Sequence, residues 1–223
     1  MFIFVVTEIP KRADGPHFYT CKCLLEKIAK DVCLVARYNQ INRKFLEKYK
    51  PWAIVHSGAA ASYEEYDVLT NKKYREIIKK LDVAQLGICG GHQIIAKIFG
   101  CKIGYIRKLR KDDPDLNKDY NPGMFKEYGI FPVKIIKRDP IFNGLGNIIR
   151  VMEHHMMEIK KLNKNFILLA STKDCKMQAY VHKKRPIYGV QFHPERSTKY
   201  YPDGLKILKN FFKIAREYNR TKY

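Results

Sequence analysis

Leu86-Gly87-Ile88-Cys89-Gly90-Gly91-His92-Gln93 sets one cysteine between an apolar run and a segment of helical spacing, with glycines two positions before and after it. The residues Ala84–Cys89 read as a buried strand, and Ile94–Phe99 as a helix stopped by Gly100. A strand that turns sharply into a helix at a G-x-nucleophile-x-G step is an elbow. Its glycines leave room where backbone and neighbouring strands come close, and the nucleophile projects from the sheet edge. A cysteine there feels the positive end of the helix dipole, which favours thiolate. The Gly90 N–H would point where an oxyanion forms.

Working outward, the same alternation recurs. Met1–Thr7 reads as a strand, Cys21–Asp31 as a helix, Val32–Arg37 as a strand and Asn42–Tyr49 as a helix. Ala53–His56 follows as a strand and Lys72–Leu81 as an amphipathic helix. Strands and helices alternating at this spacing predict parallel β-α-β crossovers, hence an α/β fold with a doubly wound, mostly parallel sheet covered on both faces. After Cys101 the rhythm changes. Short strands over Tyr128–Ile136, Ile148–Met152, Phe166–Ser171, Met177–Val181 and Ile187–Phe192 predict additional antiparallel strands in the C-terminal half, and Leu205–Tyr218 a docking helix. The charged segment Arg107–Tyr120 reads as a surface loop, a candidate docking surface or lid. No repeat, low-complexity tract or Gly/Ser linker divides residues 1–223, so a single domain is expected.

The chain has 223 residues, 46% of them hydrophobic, with 13 Gly and 10 Pro, which excludes wholesale disorder and collagen-like character. Its 43 Lys+Arg against 22 Asp+Glu give a formal charge of +21. Such an excess fits a polyanionic partner, but equally a Lys-rich solvated surface. The opening apolar run Phe2–Val6 is far too short to span a membrane and no basic segment precedes it, so no membrane is implied and a cytoplasmic protein is expected. Six irregularly spaced cysteines make no disulfide framework. Cys21-x-Cys23 lacks a second pair at ligand spacing, so both thiols should lie along a helix with one packed inside, and no metal site is expected.

A cysteine nucleophile needs a base, and the base an orienting group. Gly189-Val190-Gln191-Phe192-His193-Pro194-Glu195 supplies both, since alternation along a strand end puts Glu195 on the side of His193, where its carboxylate can fix the imidazole tautomer. The two segments together resemble the signature motifs of the class I, triad-type glutamine amidotransferases, and the order of elements is similar to that family's flavodoxin-like sheet. The resemblance implies Cys89 as nucleophile, His193 as general base and acid, Glu195 as orienter and Gln93 as a contact to bound glutamine. It also implies release of ammonia through a γ-glutamyl thioester, with no cofactor. The family's S-G-G-P-x-S stretch is here Ser57-Gly58-Ala59-Ala60-Ala61-Ser62, so the implied oxyanion donors are Gly58, Ala59 and Gly90, with Ala59 able to serve if its φ is negative.

Lys126-Glu127-Tyr128-Gly129, Asp139-Pro140-Ile141-Phe142, Val151-Met152-Glu153-His154-His155 and Ala170-Ser171-Thr172 resemble the glutaminase part of the GMP synthases. In that family the middle segment is similar to W-M-S-H-G-D. His154 falls on its histidine, while Glu153, His155 and Met156 depart from it. The pair His154-His155 is equally read as a strand end with one side chain buried and one solvated. No S-G-G-x-D-S loop for ATP occurs, so ammonia would pass to an ATP-pyrophosphatase-type synthase subunit on a separate chain. Two other readings stand beside this one. A free-standing γ-glutamyl hydrolase would use the same three residues, although its motif more often has Trp where Phe192 stands. A basic nucleotide- or RNA-binding scaffold with a relic triad is the non-enzymatic reading. No RNA- or DNA-binding motif accompanies the charge, and nucleic acid is not an expected partner.

Overall fold

The computed structural model describes residues 1–221. In chain order the elements are β1 (Phe2–Val6), α1 (Pro16–Ala29), β2 (Cys33–Arg37), α2 (Arg43–Tyr49), β3 (Ala53–His56), α3 (Lys72–Lys80), β4 (Ala84–Ile88) and α4 (Gly90–Ile98). Then follow β5 (Lys102–Tyr105), β6 (Glu127–Ile135), β7 (Ile148–His155), β8 (Met157–Lys161), β9 (Phe166–Ser171), β10 (Ala179–His182), β11 (Ile187–Val190) and α5 (Asp203–Arg220). Nine strands form one sheet in the order β2-β1-β3-β4-β11-β10-β9-β6-β7. Its first five are parallel and the rest antiparallel, so the predicted α/β class and the change of rhythm after Cys101 both appear.

Period-two alternation explains the layering. Phe2, Phe4 and Val6 of β1 point into one core with Phe211 and Phe212 of α5 and Phe18 and Leu25 of α1. Ile3 and Val5 point into the other, with Leu46 of α2, Ile77 and Ile78 of α3 and Ile94 and Ile95 of α4. Both faces of β1 are therefore dry, which is why its sequence is an unbroken apolar run. Helices α2 and α3 start where Asn42 and Asn71 accept from the Phe45 and Tyr74 amides. Among the described residues no helix is long and apolar enough to cross a membrane.

Several boundaries differ from those read in the sequence, each for a local reason. Helix α1 begins at Pro16 rather than Cys21, because proline suits the first helical position and Phe18 supplies an early buried contact. Helix α4 begins at Gly90, four residues before Ile94, since the glycines of the elbow are themselves helical. Of the two thiols on α1, Cys21 is half-buried against the core and Cys23 is exposed. Strand β11 stops at Val190, and His193 precedes a short 3-10 turn (Pro194–Arg196) instead of ending the strand. Strands β5 and β8 form a separate antiparallel pair that the sequence reading passed over; β5 is four residues long and carries Gly104 within it.

Candidate active site

Strands β4 and β11 lie side by side, Ile88 opposite Val190, so their carboxyl ends deliver Cys89 and the Gln191–Glu195 segment to one place. Cys89 has φ 48° and ψ −103°, a sparsely populated conformation for a residue with a side chain that costs about 1–3 kcal/mol. Its surroundings hold it there: the Cys89 amide donates to the Val190 carbonyl at 2.8 Å, and the Gly91 amide to the Ser57 carbonyl at 2.9 Å.

His193 is 6% exposed, and its amide donates to the Met152 carbonyl at 2.8 Å, tying the histidine segment to β7. Its Nδ1 lies 2.6 Å from Glu195 Oε1. With a carboxylate on that side, Nδ1 carries the proton and Nε2 is left for Cys89. Burial pushes the imidazole pKa down, but the charges of Glu195 and Cys89 prevail and bring it up to about 10. Burial likewise pushes the Cys89 thiol up, and the charge and hydrogen bond of His193 outweigh it, leaving the thiol below its ordinary value. The two shifts run in the directions that favour the charged form of each partner. Glu195 is disfavoured as an anion by burial, yet the facing His193 holds its carboxyl below the usual range.

The turn after β3 closes the third side. A Cβ on Gly90 would lie 2.4 Å from the Ala59 nitrogen, so the two backbones touch only because residue 90 is glycine. Ala59 adopts a backbone outside the left-handed region, the condition under which its N–H can serve. A Cβ on Gly58 would lie 3.3 Å from His193 Cε1 and 3.6 Å from Cys89 Cβ, so any side chain there would press on the pair. What fixes this turn escaped the sequence reading. Buried Glu8 accepts from the amides of Ile9 at 2.8 Å, Ala60 at 2.6 Å and Ala61 at 3.2 Å. Thr7 Oγ1 adds a bond to the Ser57 carbonyl at 2.9 Å. A lone carboxylate just past a strand offers no spacing signal. Glu8→Gln replaces an acceptor by an NH₂ that faces other N–H groups, and is expected to lower stability by about 1.5–3 kcal/mol and kcat roughly tenfold, measured by urea unfolding and ammonia release.

A cavity of about 340 Å³ opens above Cys89, lined among others by Ala59, Gly90, Gln93, Tyr120 and Met157, with Arg12 and Glu65 at its edge. A larger concavity, about 830 Å³ between α2 and α3, contains none of these residues. Tyr120 comes from the charged loop, which is folded back on itself. Lys126, almost fully buried, pairs with Asp115 at 2.7 Å, and Arg107 pairs with Asp113 and with Asp174 and lies over the Phe125 ring. The loop thus contributes Tyr120 and Asn121 to the cavity wall.

Gln93 lies at the floor with its amide engaged on both sides. Nε2 donates to the Met157 carbonyl at 2.8 Å and to Gln191 Oε1 at 2.9 Å, while Tyr63 Oη donates to Oε1 at 2.8 Å. Of the histidine pair, His155 is buried and His154 half-buried. The His154 ring meets Tyr120, Tyr128 and Arg196, and burial with the Arg196 charge keeps it neutral, near pKa 4. His155 donates from Nδ1 to the Met157 carbonyl at 2.9 Å, and its Nε2 faces Glu127 at 3.0 Å and Glu153 at 3.1 Å. Burial works against its charge, but the two carboxylates raise its pKa well above the ordinary histidine value. Donor atoms of Glu127, His155 and Cys175 lie within 4.8 Å of one another. The Glu127 oxygens are engaged by Thr172 Oγ1, Gln178 Nε2 and His155, so that carboxylate is already held within a buried hydrogen-bond network. The remaining buried histidines serve the core: His56 bonds Tyr74 and Gln85, and His92 packs on the Tyr180 ring.

The family model described as Glutamine amidotransferase class-I matches residues 24–215. A glutamine-hydrolyzing GMP synthase subunit of Pyrococcus furiosus is 37% identical over 172 residues, which are 77% of this chain and 80% of that protein. The corresponding subunit of Pyrococcus abyssi is 40% identical over 146 residues, 66% of this chain and 68% of that one. Among solved structures, a candidate GMP synthase subunit of Thermoplasma acidophilum superposes with a TM-score of 0.76 at 28% identity, covering 100% of this chain and 98% of that chain. A glutamine amidotransferase of Thermotoga maritima shares the fold, with a TM-score of 0.62 at 17% identity over 100% of this chain and 85% of that one.

Proposed function

The chain belongs to the class-I glutamine amidotransferases, and from that premise we propose that it hydrolyses glutamine through Cys89, His193 and Glu195 and hands the ammonia to a separate synthase subunit. The observation that carries the reading is Cys89, forced to positive φ at the sheet edge and paired with the buried His193–Glu195 couple.

The Cys89 thiolate attacks the side-chain amide carbon of glutamine. The N–H groups of Ala59 and Gly90, brought together by the missing Cβ of residue 90, receive the oxyanion, with Gly58 leaving room beside them. Imidazolium His193 then gives its proton to the departing nitrogen, the C–N bond breaks, ammonia leaves and a γ-glutamyl thioester remains. Neutral His193 next takes a proton from water, and the hydroxide attacks the thioester. Expulsion of the Cys89 thiolate releases glutamate. Glu195 holds the imidazole in one orientation throughout and balances its charge. Arg12 and Glu65 at the edge of the cavity offer a cation and an anion to the two ends of a free amino acid. Two cores flanking the nine-stranded sheet support treating the chain as one domain.

The names of the relatives support GMP synthase as the acceptor enzyme, its second component being of ATP-pyrophosphatase type. Ammonia release from glutamine should exceed that from γ-glutamyl peptides by a large factor in kcat/KM; the reverse preference would make the protein a γ-glutamyl hydrolase. Co-purification from native lysate with Mg-ATP and candidate nucleotides present tests the partner.

The ionic pair gives a pH prediction. Because the Cys89 pKa lies below the ordinary thiol value of 9.0, its alkylation by iodoacetamide should stay fast below that pH and slow only as pH falls through the lowered value. In His193→Ala the depressing charge is gone while burial remains, so the midpoint should move above 9.0. Rate–pH profiles with peptide mapping of Cys89 check both signs.

A further inference from the structure

Cys89 has a neighbour besides His193 that the mechanism above does not use. Gln191 is fully buried, and its Nε2 lies 3.6 Å from Cys89 Sγ. Which end of that amide faces the sulfur follows from the groups behind it. A backbone carbonyl only accepts, so the Met157 oxygen fixes the Gln93 NH₂ toward itself, as it fixes the His155 Nδ1 proton. The second N–H of the Gln93 amide then requires an acceptor, and Gln191 Oε1 is that acceptor at 2.9 Å. With its oxygen committed, Gln191 must turn its NH₂ to the sulfur. Behind this line, His155 Nε2 donates to Glu127, itself held by Thr172 and Gln178, so the Met157 carbonyl is backed by a buried network.

We propose that Gln191 is a second hydrogen-bond donor to the Cys89 sulfur, its polarity dictated by the Met157 carbonyl and relayed by Gln93 as a positioning residue. The donor stabilises the thiolate before attack and again when the sulfur is expelled from the thioester. It also gives Gln93 work that needs no direct contact with glutamine. The inference rests on Cys89 as nucleophile.

Gln191→Met keeps the length of the side chain but has no N–H, and it gives up the Oε1 that accepts from Gln93. The titratable groups around the sulfur are His193, His155 and Glu153, with Tyr63 and Tyr120 nearby, and the substitution alters none of them. The midpoint of Cys89 alkylation should rise by about one pH unit and kcat fall roughly tenfold or more, with KM within about twofold. Gln93→Met, which leaves residue 191 in place but frees it to turn, should shift the midpoint in the same direction. The double variant should be no worse than Gln191→Met, because both remove one interaction. Midpoints that stay put in both folded single variants overturn the proposal, even if activity falls. Alkylation requires no substrate, so wild-type protein without glutaminase activity would refute the functional reading and leave this measurement intact.

Discussion

Cys89→Ala is expected to cut ammonia release from glutamine by about 10⁴-fold or more while leaving the fold in place, because the thioester path needs the sulfur and nothing else in the cavity can replace it. The side chain is a small part of a large core, so unfolding should change little. Cys89→Ser should be nearly as inactive. Its hydroxyl fits the same elbow, but an alcohol is a far weaker acid than a thiol, and a site tuned to hold a thiolate against His193 does not ionise it. Retention of more than a small fraction of activity in either variant, measured as ammonia by a coupled assay, would remove Cys89 as nucleophile.

Gly90→Ala is the second large effect, and its sign runs against local expectation. At the first position of a helix, alanine in place of glycine ordinarily stabilises by a few tenths to about 1 kcal/mol. Here the new Cβ would stand 2.4 Å from the Ala59 nitrogen and 3.0 Å from its Cβ, and neither backbone can yield without moving the elbow or the turn held by Glu8. If the Ala59 and Gly90 amides receive the oxyanion, separating them should lower kcat by about 10²–10³-fold with a smaller change in KM. A fall in stability with unchanged kcat would mean that the oxyanion is held elsewhere.

The parts of the site legible in the sequence are those in which chemistry and backbone lie within a few residues. Gly87 through Gln93 and Gly189 through Glu195 each carry a candidate nucleophile or base, a turn and a strand in one short window, and the alternation of β1 through α4 follows from apolar spacing alone. What stayed hidden is assembled across the chain. Glu8 reaches residues 60 and 61 from another strand end. Glu127, His155 and Cys175 meet only after β6 and β7 pair and the segment after β9 folds against them, and Tyr120 reaches the cavity because Lys126 and Arg107 tie down its loop. The spacing that placed Glu195 beside His193 assumed strand alternation, whereas a 3-10 turn, and not a continuing strand, brings Nδ1 and Oε1 together.

The adjacency of β4 and β11 has a consequence for biosynthesis. Cys89 leaves the ribosome long before His193, and until β11 inserts between β4 and β10 the sulfur lacks the His193–Glu195 couple. The elbow itself lacks the Val190 carbonyl that holds the Cys89 amide. Such distant pairings form late, because the entropy of loop closure must be overcome first. A chain that ends before β11 therefore carries Cys89 without the His193–Glu195 couple beside it.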